Sequence, residues 1–236
     1  MKRLPIVSTI IAFICIVILL KLGFWQLHRA EEKEQIAVQM AEREDSVYPN
    51  LMAALNDDGE HNYKPVKITG KVDNQKLLYW DNRVLLGKVG YEVLAILKND
   101  AGNILVNFGW IEDTSFRQSI PLVVIPERLN KEDGILYKPG SNLLIKEPSE
   151  IMEKWPRRVQ QPDFDLIEKL TNVELLPTIV YLKDNAPLGL KNNFKPITMT
   201  SQKHIGYALQ WFSLAIACLL VYLVALKKKW KDDRKH

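Results

Sequence analysis

The chain has 236 residues, 47% of them hydrophobic, and a formal net charge of +4. Lys2 and Arg3 supply +2 and the last ten residues, KKKWKDDRKH, another +4, so everything between them carries −2. The cations therefore sit in two tails, which excludes a basic surface for nucleic acid. Both cysteines, Cys15 and Cys218, fall in apolar runs. That excludes a disulfide framework, a thiol nucleophile and a CxxC or CxxxC copper site from the segment between the runs.

In chain order, residues 1–3 form a short basic tail and residues 4–27 a first transmembrane helix. Leu4 to Leu20 is uncharged, and the apolar character resumes after Lys21, which can snorkel to the headgroups. The run ends in GFWQLHR, without the small residues of a cleavage site, so an uncleaved anchor is expected. Residues 28–48 have no Gly or Pro and predict a charged helix leaving the membrane. Residues 49–203 predict a β-rich domain. Its candidate strands are VKITGKV, KLLYW, YEVLAIL, ILVNFGWI, PLVVI and PTIVYL, separated by turn signals such as DNR, GKVG, KNDAGN and KPGSN. Helical periodicity returns only in PDFDLIEKL, where Pro162 and Asp163 can start a short helix. A small, mostly antiparallel barrel or sandwich follows.

Residues 204–226 predict a second transmembrane helix. Ile205 to Leu226 is uncharged and, as a helix, rises about 33 Å against a hydrocarbon core of about 30 Å. Residues 227–236 form the second basic tail. With cations flanking both spans on one side, both termini are expected in the cytoplasm and the central domain outside the inner membrane, in the periplasm of a Gram-negative bacterium.

The domain offers little chemistry. His61 stands in NDDGEHNY beside Asp57, Asp58 and Glu60, which reads as a solvated loop, and there is no G-x-S-x-G, H-E-x-x-H or phosphate loop. No enzyme is expected. Three residues before the first span and ten after the second leave no room for an output module, so a sensor ectodomain is not expected either.

The spans are more informative. At 100° per residue Gly206, Gln210, Ser213 and Ala217 share one stripe of the second span. On the first, Ser8, Ala12, Cys15 and Gln26 do the same, with Gly23 at the edge. Small residues favour close helix contact in lipid, so these stripes are expected to meet; two readings of Gln26 and Gln210 stay open, a hydrogen bond between the helices or two amides that each reach the membrane interface. His204, Tyr207, Trp211 and Ala215 then point away from the partner helix. Two readings of His204, Tyr207 and Trp211 stay open: an aromatic belt with a hydrated histidine, or a site where a neutral imidazole ligates haem iron and the aromatics pack on the macrocycle. His28 could supply a second ligand, but it is turned about 200° from Gln26.

LGFWQLHRAEEK and KHIGYALQWFSLA, with DNRVLLGKVGYEVLAIL and NILVNFGWI between them, resemble the surfeit-locus-one family of cytochrome c oxidase assembly factors over nearly the whole chain. One departure is Phe108, where the family commonly has a basic residue before the Gly109–Trp110 pair. The resemblance implies a role in the biogenesis of a haem-copper terminal oxidase, with haem a as cofactor, His204 as iron ligand, and the oxidase's catalytic subunit and haem a synthase as partners. The alternative is a haem-independent scaffold that stabilises the nascent catalytic subunit in the membrane lipid through its outer domain.

Overall fold

The computed structural model describes residues 5–43, 45–57, 61–114, 119–140, 145, 154–183 and 188–232. Lys2, Arg3 and residues 233–236, on which the expected orientation partly rests, lie outside them, as do Asp58 and Glu60 beside His61. The chain divides into two units, residues 1–39 with 196–236, and residues 40–195.

The first unit holds most of α1 (Ile6–Arg43) and all of α4 (Ser201–Asp232). Both are long and apolar enough to cross a membrane, and almost none of either apolar stretch is buried. A core helix of a soluble domain would instead be covered on most sides. α1 continues unbroken through HRAEEKEQIAVQMAER, as its lack of Gly and Pro allows. Its 38 residues rise about 57 Å, well beyond the hydrocarbon thickness.

The second unit is a β-barrel. The strands β1 (Pro65–Leu85), β2 (Lys88–Asn99), β3 (Gly102–Glu112), β4 (Arg128–Tyr137), β5 (Arg157–Val159) and β6 (Ile179–Leu182) form one sheet. Its order is β2-β3-β6-β4-β1-β5, and a further β1–β2 pairing closes the ring. All neighbours are antiparallel except β3–β6 and β1–β5. The expected small, mostly antiparallel domain between two apolar helices is thus what the chain forms. Closure removes the exposed edges that an open sheet of the ring strands would present, with β5 outside the ring on β1.

YEVLAIL is apolar at nearly every position because both faces of β2 are covered. Val93, Ala95 and Leu97 enter the barrel interior with Ile68, Val106 and Phe108. Leu94 and Ile96 face a second core made with Leu105, Val159 and Ile167. Ile167 belongs to α3 (Phe164–Thr171), where Asp163 accepts from the Leu166 N–H and Asn172, left-handed at φ 56°, ends the helix. This is the short helix expected from PDFDLIEKL.

Three local expectations are corrected. VKITGKV and KLLYW are one continuous strand, and DNR is a bulge inside it, with Asn82 at φ 58° between the paired residues Trp80 and Arg83. PLVVI forms no strand. Ile125 turns into the core while Leu122 and Val124 stay exposed, and Tyr79 Oη donates to the Pro121 carbonyl at 2.7 Å. Burial pushes that phenol up to about 12, so it remains a donor. The polar segment RLNKEDGILY is β4, and LMAALN is a one-turn helix, α2 (Leu51–Asn56), capped by Asn50.

Candidate functional site

The covered positions of α1 include Thr9, Ala12, Ile16, Leu19, Gly23, Gln26 and Ala30, in alternating steps of three and four. On α4 they include Ser201, His204, Ala208, Trp211, Ala215, Cys218 and Tyr222, with the same alternation. A 3.5-residue repeat on both helices is the signature of a coiled-coil seam. The contacts run antiparallel. Ser201 Oγ lies 2.6 Å from Glu34 Oε2, His204 Nδ1 2.7 Å from Gln26 Oε1, and Thr9 Oγ1 2.7 Å from Tyr222 Oη. Between them the Phe212 ring seats on Gly23, where a Cβ would overlap it, and meets Phe24 edge-on at 5.3 Å.

The stripe expected from the sequence is therefore not the seam. Gly206 has nothing within 4 Å of a Cβ position, Gln210 and Ser213 are exposed, and Gln26 bonds His204 instead of Gln210. Ala215 and His204, expected to face away, are buried at 4% and 8% exposure. Both faces of α4 carry small residues, so size alone does not choose between them. Polar partners do: Thr9 and Gln26 find no acceptors or donors in hydrocarbon, and the face with Tyr222 and His204 supplies them, while beyond the apolar run Ser201 on the same face donates to Glu34.

Of the three residues proposed for a ligand, His204 lies in the seam, Trp211 is half-buried and Tyr207 is 46% exposed. Nε2 of His204 has no hydrogen-bond partner among the described residues, yet it is not sealed off. His28 takes no part, since its ring lies 3.2 Å from Glu32 on an exposed face. Among the described residues no cluster of three or more His, Cys, Asp or Glu could hold a bare metal ion. A porphyrin iron needs no such cluster, because its macrocycle supplies four donors and the protein one or two. One imidazole whose Nε2 has no hydrogen-bond partner among the described residues, with Tyr207 and Trp211 on the same helix, meets that count of protein donors.

The barrel holds a polar network that sequence reading missed. Glu92, 1% exposed, accepts from Arg83 Nε at 2.8 Å, Asn107 Nδ2 at 2.6 Å and Asn193 Nδ2 at 3.0 Å. Burial, with the Glu92 charge nearby, pushes the Tyr181 phenol far above its ordinary range. Trp110 Nε1 donates to the Arg83 carbonyl, and Gly109, at φ 118°, donates its N–H to Asn107 Oδ1. Phe108 is fully buried in the barrel core. His61 is no plain loop residue either: its Nδ1 lies 3.3 Å from the buried Lys64 ammonium, which also pairs with Asp57 at 2.8 Å. This network reads as scaffolding, because each charged group is answered by a protein partner.

Two apolar helices joined by a seam, and a barrel inserted between them in sequence, define a helix-anchored β-barrel protein. The SURF1 family model matches residues 13–216, and the chain belongs to that family, whose members are known as oxidase assembly factors. It is 28% identical to a SURF1-like protein of Rickettsia felis, over 92% of this chain and 96% of that one. It is 27% identical to one of Rickettsia conorii (96% and 94%) and 22% identical to one of Dictyostelium discoideum (92% and 95%).

Proposed function

We propose that this protein assists the assembly of a haem-copper terminal oxidase in a bacterial inner membrane, binding haem a at His204 on the way to the catalytic subunit. Family membership over residues 13–216 supports the assembly role. The haem reading rests on one observation: His204 is held through Nδ1 while Nε2 has no partner among the described residues. Tyr207 and Trp211 would offer aromatic surface to a macrocycle. Bound haem would be cargo, and the chain's part is to hold and orient it; no residue is asked to do covalent chemistry. Both termini in the cytoplasm and the barrel in the periplasm agree with the basic tails.

A deletion strain tests the assembly role. It should assemble less haem-copper oxidase and keep a bd-type quinol oxidase at its normal level. Parallel loss of both would place the defect in haem supply or general membrane assembly. The scaffold reading has one observation of its own, since Leu122 and Val124 stand 92% and 90% exposed on the barrel and could meet a subunit. In the deletion strain, normal oxidase from a His204→Ala gene, with the variant present in full amount, would leave the scaffold and remove the carrier.

A further inference from the structure

We propose that Gln26 is a positioning residue for His204: its amide carbonyl fixes the imidazole as the Nδ1–H tautomer and so presents the Nε2 lone pair to a flat, metal-bearing ligand. The ligand's class rests on the haem reading above; the tautomer does not.

The facing atoms are His204 Nδ1 and Gln26 Oε1, 2.7 Å apart. An amide oxygen only accepts, so Nδ1 must carry the proton, and a neutral ring then has its lone pair on Nε2. The other tautomer would set two lone pairs against each other at that distance. Free imidazole favours Nε2–H, so the preference has to be imposed, and a seam that buries His204 to 8% exposure is where one hydrogen bond can impose it. Gln26 lies on the seam between Gly23 and Ala30, both buried. Metal-ligating histidines commonly donate their second N–H to a carbonyl or carboxylate, which sets ring orientation and basicity. A neutral amide does this without placing a charge near lipid, and it donates less electron density than a carboxylate would. The iron bond is then weaker and its cargo releasable.

The test uses the full-length, haem-free protein in lipid nanodiscs with nitrogen-labelled histidine, at mildly alkaline pH. The His204 signal is identified by its loss in His204→Ala. Wild type should show a protonated Nδ1 and an unprotonated Nε2, and Gln26→Leu should revert to a mixture dominated by Nε2–H. A protonated Nε2 in wild type, or no change in Gln26→Leu, overturns the proposal. Haemin titration then tests the consequence. Gln26→Leu should weaken binding about 10- to 100-fold, while Tyr222→Phe, which removes a different seam hydrogen bond, should leave it unchanged. Equal losses would mean that Gln26 acts only by holding the helices together, against the proposal. Wild type with the assigned tautomer and no affinity for haemin would remove the haem reading alone.

Discussion

Glu92 shows what a single residue can hide. In YEVLAIL it reads as a polar position on a strand, and nothing in the sequence names Asn107 or Asn193 as its partners, because those contacts are made only when β2, β3 and the segment after β6 come together. Gln26 and His204 were individually legible as an amide and an imidazole at the ends of apolar runs. Their pairing was not, since helical projection orders residues on one helix and says nothing of which face its partner chooses. Replacing Glu92 by Leu leaves the buried Asn107 and Asn193 amides without their acceptor and should destabilise the barrel by about 3 kcal/mol. Thermal unfolding followed by the β-sheet circular dichroism of the detergent-solubilised protein reads this. A melting curve like that of wild type would mean that the network is dispensable.

At the scale of elements, what is periodic was readable. The two spans, the short α3 and strands β2, β3 and β6 follow from apolar runs and turn residues, whose physics is local. β1 was split in two because Asn82 looks like a turn residue, and only the pairing on either side makes it a bulge. PLVVI has strand composition, but in the fold it lies outside the ladder. The seam makes the sharpest prediction. Gly23→Leu drives a side chain into Phe212 and Ala215→Leu overfills a buried position, each costing about 1–3 kcal/mol. Gly206→Leu meets open space. Membrane levels of the full-length protein should fall for the first two and hold for the third; a loss confined to Gly206→Leu would restore the small-residue stripe as the contact.

For the whole molecule, two apolar helices flanking a β-rich domain in sequence were legible, because membrane thickness and strand length are physical rulers; the choice between barrel and sandwich was not. The ring closure β1-β2-β3-β6-β4 was not, since strand order depends on contacts far apart in sequence. The proposed orientation rests on the tails: reporter fusions after Arg234 should read cytoplasmic and fusions near Asn130 periplasmic, and a periplasmic C-terminus would sink the two-span arrangement. We propose, for the molecule as a whole, that this member of the SURF1 family carries haem on an imidazole held in a helix seam. The most direct test is the absorption spectrum of the protein purified from cells that make haem a. The wild type should carry a haem a spectrum and His204→Ala, recovered in equal amount, should lack it. A wild type without haem, or a variant that retains it in full, would contradict the claim.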